Sequence, residues 1–205
     1  NIHLWDARIC KGHDNYFRIF KCSKRKNTHR EVVILKYLHI FPNDMEKLNE
    51  FSQKASKYFQ AADHMVNVTY PVVKDPKVLL LAITHLNNAF ENAISALIYY
   101  DYHFKRITNF PNEFGDKLDI FRRYTCTKYN IPRETVQTIL DVKSIYQDHK
   151  SSEMEFRRRN NFVIASKNYR LRTINSEKLK RFLVLAKPLL TKVFEVKKLN
   201  DRRIN

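Results

Sequence analysis

Residues 75–106 decide the fold, and they read DPKVLLLAITHLNNAFENAISALIYYDYHFKR. Apolar side chains recur there at steps of three and four residues, so they lie on one face of an α-helix. Asp75 is suited to cap the first turn, and Pro76 fits that turn because its missing N–H needs no acceptor there. The main stripe comprises Leu79, Ile83, Leu86, Phe90, Ala93, Leu97, Tyr100 and Phe104, and Leu80, Ile94 and Ile98 widen it. The sequence therefore predicts one helix of roughly 40 Å that contacts neighbours on two sides.

The polar positions of this helix limit what it can do. His85, Asn87, Asn88, Glu91 and Asn92 interrupt the apolar run before the roughly 20 residues that a membrane span needs, so no membrane partner is predicted. A solvated helix face more often carries Lys and Glu than amides. Asn88, Glu91 and Asn92 therefore belong either to a hydrogen-bond network, as most buried amides do, or to a polar site on the long helix.

Amphipathic helices flank the long one. The first is predicted to begin at Met45, after a capping pair formed by Asn43 and Glu46, and to stop before Tyr70-Pro71. Because only a short loop separates it from the long helix, the two are expected to pack as an antiparallel pair.

Three further helices follow the long one. They are predicted from about Asp116, from Pro132 to about His149, and after a cap at Asn175 or Ser176, with a bend at Pro188. Only 2 glycines in 205 residues disfavour a sandwich or barrel rich in tight turns. The predicted fold is thus mainly α, a four- to five-helix bundle.

A small β-hairpin is predicted before the C-terminal helix, at about 161–174. The apolar run 162–165 faces 169–173, and Asn168 tolerates the left-handed conformation that a tight turn requires. The preceding segment, 151–156, is interpreted as a polar break. We predict a bundle domain over 45–199 and a frayed tail over 200–205.

Residues 1–44 have a different character, and two interpretations stay open. They form an N-terminal appendage with one or two strands, for which the run Val32–Leu35 is the best candidate, or they are upstream sequence and translation begins at Met45. The region holds a cluster of Cys10, His13, Cys22 and His29. Its spacing is not that of a zinc finger, so no metal is predicted. The 3 cysteines of the chain and the lack of a signal-peptide pattern favour a reducing, cytoplasmic location.

The charge of the chain favours polyanionic partners. The net charge is +17, and residues 151–205 contribute 15 Lys and Arg against 5 Asp and Glu. Guanidinium groups match phosphate geometry and stack on bases, and aromatic rings offer stacking for unpaired bases. The candidate nucleic-acid-binding residues are Arg157, Arg158, Arg159, Arg170, Arg172, Tyr169 and Lys167, with Phe162 interleaved.

Catalysis has little support in the sequence. The chain contains no GxSxG, HExxH, P-loop or GxGxxG motif, and 2 glycines exclude most phosphate-cradling loops. We therefore predict a non-catalytic protein without a cofactor.

The order of elements resembles HEPN domains over residues 45–196. The resemblance rests on the helix pair with an amide-rich second member, the two shorter helices and the late basic segment. It implies a helical bundle in a family of ribonucleases, toxins partnered by nucleotidyltransferase-like proteins and non-catalytic RNA-binding proteins. In catalytic members an earlier helix adds a polar residue, and Asn88, Glu91 or Asn92 would match that position.

The catalytic motif of that family is missing. It places Arg four to six residues before His near the start of a late helix, but no His follows Arg157, and the Arg-x4-His spacing occurs at Arg8 to His13 instead. We predict an RNA-binding module that uses the C-terminal arginines. Two alternatives are a protein-interaction subunit, of a toxin–antitoxin-like complex or as a homo-oligomer, and a HEPN-type ribonuclease with a non-standard site around Glu91, His85 and Arg157.

Overall fold

The structure is a computed structural model that describes residues 7–10, 17–20, 42–159, 161–165 and 170–204, and it divides into the units 1–40 and 41–205. In the first unit, strands β1 (Ala7–Cys10) and β2 (Phe17–Phe20) pair antiparallel, with Ala7 opposite Phe20. The strand predicted at Val32–Leu35 lies outside the described residues. The rest of the fold belongs to the second unit.

The second unit begins with helix α1 (Pro42–His64), a π-helical turn (Met65–Thr69) and the short helix α2 (Tyr70–Val73). The predicted stop before Tyr70-Pro71 is wrong, because the chain stays helical to Val73. Proline has no N–H and interrupts an i→i−4 ladder. The π turn changes the hydrogen-bond register just before it, since the N–H of Tyr70 bonds to the Met65 carbonyl, five residues back.

Helix α3 (Lys77–His103) is the long helix that the apolar stripe predicts. The side chain of Asp75 caps it, accepting a hydrogen bond of 3.1 Å from the N–H of Lys77. Its buried positions cover more than one face: they are Leu79, Ala82, Ile83, Leu86, Asn87, Ala89, Phe90, Ala93–Tyr100 and Asp101. The prediction of neighbours on two sides is confirmed, because α3 packs against α1 and against several later helices and one strand.

These later helices are α4 (Phe114–Ile120), a second π turn (Phe121–Thr125), α5 (Cys126–Lys128), α6 (Arg133–Ser151) and α7 (Ser176–Ile204). They match the three predicted helices in position, except that the first is divided by the π turn. Helix α7 continues through Pro188 and through the predicted tail, and Asn200 in that tail is buried.

Two aromatic contacts show that α1 and α3 run antiparallel, as the short connection predicts. Phe51 packs against Tyr99 with ring centroids 6.0 Å apart, and Tyr58 packs against His85 at 5.9 Å. The position along α3 falls as the position along α1 rises. Phe110, from the loop after α3, joins the first pair with its ring edge-to-face on Tyr99 at 5.3 Å.

The predicted hairpin is part of a three-stranded antiparallel sheet with the order β3 (Met154–Arg158), β4 (Asn161–Ala165) and β5 (Leu171–Ile174). Strands β4 and β5 confirm the hairpin. The polar break predicted at 151–156 is wrong, because its second half begins β3. This edge strand has four exposed residues of five, so its sequence lacks the apolar alternation by which a strand is usually recognised.

The fold is therefore a mainly α bundle with a small sheet before the last helix, as predicted. The sheet packs through β4 against α3 and α6, and α7 packs against α1, α3 and α6. None of the described helices combines the length and apolarity that crossing a bilayer requires.

Replacing Ile94 with Ala should lower the free energy of unfolding by about 2–5 kcal/mol, because it leaves a cavity in the middle of the bundle. Ile94 is 0% exposed, whereas Leu81 on the same helix is 48% exposed. Leu81→Ala is the matched control, and it should cost less than about 1 kcal/mol. Urea denaturation of both variants measures the difference, and equal losses would contradict the central position of α3.

Candidate nucleic-acid interface

The three-stranded sheet has an inner and an outer face. Phe162, Ile164 and Ile174 are buried in the hydrophobic core on the inner face. Because side chains alternate along a strand, the intervening residues lie on the other side. We call that side the outer face; its cross-strand rows are Met154, Ala165 and Leu171, then Phe156, Val163 and Thr173, then Arg158 and Asn161.

The outer face is apolar and open. Met154 and Leu171 are each 63% exposed and Phe156 is 38% exposed, while Val163 on the central strand is covered. Single exposed apolar residues are common on proteins, but three side by side on one sheet form a patch. This patch lies next to Arg158, which is exposed at the end of the same face.

The alternation that creates this face also separates the three consecutive arginines. Arg157 lies opposite Phe162 on the inner side, where its guanidinium is 3.6 Å from the Asp75 carboxylate. Arg158 points to the outer face. Arg159 is exposed in the turn between β3 and β4, with a positive φ of 54°. Within the described part of the chain, neither Arg158 nor Arg159 has a hydrogen-bond or ion-pair partner.

Arg172 is held by contacts within the protein. Its Nε lies 2.5 Å from the Asp148 carboxylate, and its terminal nitrogen donates a 2.7 Å hydrogen bond to the Ser144 hydroxyl. Beside it, the His149 ring lies 2.6 Å from the Glu155 carboxylate on β3. Both contacts tie the sheet to the C-terminal half of α6, so Arg172 is engaged within the protein.

The other predicted binding residues also divide into exposed ones and ones that are buried or bonded within the protein. Arg170 is exposed and has a contact within the protein. Phe162 is buried, so its ring cannot stack on a base. Lys167 and Tyr169 lie outside the described residues. Of the predicted set, Arg158 and Arg159 are the exposed arginines without a partner in the described part of the chain.

The polar residues of α3 bond mostly within the helix. Asn87 donates a 3.2 Å hydrogen bond to Glu91, and Asn92 donates one of 2.8 Å to the carbonyl of Asn88. Burial lowers the pKa of Lys117, and the nearby Glu91 carboxylate opposes that shift. These contacts are those of a hydrogen-bond network along the helix, in which Asn87 is buried.

The residues grouped for a ribonuclease site are not brought together. Arg157 contacts Asp75 before the first turn of α3, whereas Glu91 lies fourteen residues after Lys77, about 20 Å along the helix axis. The Nδ1 atom of His85 is buried without a hydrogen-bond partner in the described part of the chain. An acid, a base and an arginine at this separation cannot act on one phosphodiester.

A buried carboxylate that the sequence interpretation missed lies near the C-terminal end of α3. Asp101 is 0% exposed, and its Oδ1 accepts hydrogen bonds from the Tyr129 hydroxyl at 3.0 Å and from Arg106 at 3.2 Å. Lys128 also contacts this oxygen. Burial raises the pKa of Tyr129, and the charge of Asp101 raises it further. In the sequence, the signal for this buried group is a single acidic residue among apolar and aromatic ones near the end of the long helix.

No group of three or more metal-ligating side chains occurs among the residues that the structure describes. Of the Cys/His cluster in the first unit, His13, Cys22 and His29 lie outside those residues.

Comparisons of the chain with protein-family models, with curated proteins and with solved structures found no match.

Tyr129→Phe should make the stability of the protein less sensitive to high pH. The raised pKa means that the folded protein keeps the phenolic proton after the unfolded chain loses it, near its usual pKa of about 10. Stability therefore falls as the pH rises above that value, and the variant should lose this part of the decline. It should also cost about 0.5–1.5 kcal/mol at pH 8, through the lost hydrogen bond to Asp101.

Denaturant unfolding at pH 8 and near pH 10.5 measures both effects. Tyr124→Phe is the control, because Tyr124 is 39% exposed and no hydrogen bond from its hydroxyl is recorded in the described part of the chain. If Tyr129→Phe and Tyr124→Phe lost stability equally with pH, the Tyr129–Asp101 contact would not be the cause.

Proposed function

We propose that the chain is a non-catalytic nucleic-acid-binding module, and that it binds single-stranded RNA on the outer face of its sheet. The observation that supports this most directly is the exposure of Phe156 and Arg158 on one face of one strand. An aromatic ring offers a base a stacking surface, and an adjacent guanidinium offers the phosphate a charged, forked donor.

The shape of the site favours unpaired bases over a duplex. Three strands about 4.8 Å apart give a nearly flat strip roughly 10 Å wide, which has room for about two or three splayed bases. Major-groove recognition of B-DNA usually uses an inserted helix or a two-stranded ribbon. The outer face has neither form, and its apolar side chains suit base faces more than base edges.

The charge distribution supports a polyanion at this position. The chain carries +17 overall, and Arg158 and Arg159 lie together at the end of β3. The guanidinium of Arg157 is near Asp75 and that of Arg172 is at Asp148, so these two are partly neutralised. Arg158 and Arg159 have no such partner in the described part of the chain, so they are the charges that we expect to draw phosphate to the outer face.

The resemblance to HEPN domains stays part of this proposal. It would place the chain with the non-catalytic RNA-binding members, because no His follows Arg157 in the sequence. The distance between Glu91 and Arg157 along α3 also disfavours a ribonuclease built on those two residues.

Arg158→Ala should weaken binding of the full chain to a single-stranded RNA of about ten nucleotides by roughly tenfold, because it removes a charge-assisted phosphate contact. Phe156→Ala should weaken it by a similar factor through lost stacking, with less dependence on salt. Fluorescence anisotropy at two salt concentrations, with single-stranded and duplex RNA and DNA, measures these effects.

Arg157→Ala is the matched control, since it removes the same charge from the neighbouring position of the same strand but on the inner face. It should weaken binding less than about threefold, since Arg157 is already near a carboxylate. Equal losses from Arg157→Ala and Arg158→Ala would mean that only net charge matters, and they would refute the outer face as the binding site.

A second candidate function is that of a protein-interaction subunit. It is favoured by exposed aliphatic side chains around the entry into α3: Val68, Val72, Val73 and Leu81 are about half exposed or more. Exposed apolar groups at a corner where the chain turns are typical of contact surfaces.

Val72→Asp tests the self-associating form of this second function, because Val72 is 79% exposed and a charge there should not disturb the core. If the chain forms a dimer through this corner, light scattering across a concentration series should show a dimer for the natural chain and a monomer for the variant. A monomer at every concentration of the natural chain would contradict self-association.

A further inference from the structure

A groove between shorter helices of the second unit is lined by side chains of the kind that bind anions. It has a volume of about 440 Å³ and lies between the second π turn with α5 and the first turns of α6. Arg122 and Arg133 line it together with the amide side chains of Asn130 and Gln137. Small-molecule sites commonly have volumes of about 300–1,000 Å³, so the groove is large enough for more than an ion.

The charges that line the groove are all positive. Arg122 and Arg133 are both exposed, and no carboxylate lines the groove. In the described part of the chain neither guanidinium has a recorded hydrogen bond or ion pair. The Asp141 carboxylate accepts a 2.9 Å hydrogen bond from the lining residue Gln137, but Asp141 itself does not line the groove.

The backbone adds to this positive field. Helix α6 starts at Arg133 and no side chain caps its N-terminus. The N–H groups of Arg133 and Glu134 have no acceptor within the helix, whereas that of Thr135 bonds to the Pro132 carbonyl, and the exposed Glu134 carboxylate lies in the same turn without lining the groove. The helix dipole places partial positive charge at the same end. This end alone would not define a site; here it coincides with the two arginines of the groove.

The inner part of the groove is apolar. Ile131 is buried, and Leu140 is half-buried on the same face of α6 as Arg133, about two turns further along. A phosphate alone would leave this part empty. The lining therefore combines a charged, forked rim with a floor suited to a ring or a sugar.

We propose that this groove binds a phosphate monoester carried on a nucleoside, either as a free nucleotide or as the phosphorylated 5′ end of an RNA. Arg122 and Arg133 would hold the phosphate, because guanidinium forks match its oxygens. Asn130 and Gln137 would bond to base or ribose edges, and Ile131 would lie under the ring. The groove shares no residue with the outer face of the sheet, so either proposal can fail without the other.

Cys126 is a built-in reporter for the test, because its half-buried thiol lines the groove. Burial raises the pKa of this thiol to about 11, and the charge of Arg122 opposes the shift. Alkylation of Cys126 should therefore be slow but measurable at pH 9, and a nucleotide in the groove should slow it further. Peptide mapping by mass spectrometry separates Cys126 from the other cysteines of the full chain.

The experiment compares adenosine 5′-monophosphate, adenosine and inorganic phosphate as protecting ligands, with calorimetry for affinity. We expect the monophosphate to slow alkylation at least threefold at saturation and adenosine to have little effect. Arg122→Ala and Arg133→Ala should each weaken binding by about tenfold. Arg122→Lys, which keeps the charge but loses the fork, should lie between.

Arg123→Ala is the matched control, since Arg123 is the exposed neighbour of Arg122 but does not line the groove. Equal loss from Arg122→Ala and Arg123→Ala, or equal protection by adenosine and its monophosphate, would overturn the proposal. So would the absence of protection by every ligand.

The two sources of the phosphate are distinguished by a short RNA with a 5′-phosphate and the same RNA with a 5′-hydroxyl. They are compared in the Phe156→Ala/Arg158→Ala background, which weakens the outer face. Tighter binding of the phosphorylated RNA in that background, lost again with Arg133→Ala, would assign the RNA end. A preference for the free nucleotide, with no difference between the two RNAs, would assign a mononucleotide.

Discussion

The burial of α3 on most of its circumference is the constraint on which the second unit depends. From Ala93 to Tyr100 every position is buried, which requires helices on more than one side and a cover over the remaining faces. Helices α1, α6 and α7 supply the sides, and the central strand of the sheet covers part of what they leave. The sheet therefore packs on the bundle, and its inner side chains belong to the same hydrophobic core.

Burying so much of one helix makes its polar residues costly unless they are bonded. Asp101 is the extreme case, because a carboxyl group in the core is costly unless it meets opposite charge and hydrogen bonds. Arg106 and Tyr129 supply them from the two segments that follow α3, with Lys128 beside them. The carboxylate thus joins the end of α3 to α5. This favours the orientation in which the Arg122 groove is built, since α5 forms one of its walls.

The sequence predicted what depends on local pattern. The stripe and the Asp75 cap gave α3, and the apolar run 162–165 gave the central strand. Strand β3 escaped detection because an edge strand needs no alternation when few of its residues are buried. The π turn before Pro71 depends on which backbone carbonyls lose their N–H partner to the proline. The ion pair of Arg172 joins it to Asp148, twenty-four residues earlier in the chain. Contacts across such separations leave no local signature.

The arginine triplet shows how one missed strand changes a functional interpretation. Read as a loop, Arg157, Arg158 and Arg159 form one basic patch, whereas in a strand the first two point to opposite faces. The inner arginine is near the carboxylate that caps α3, although its side chain stays 61% exposed. The outer arginine is then held beside Phe156 by the same strand. An arginine that is near a carboxylate and an arginine that is open to a ligand are therefore neighbours in sequence, and the alternation of the strand places them on opposite faces.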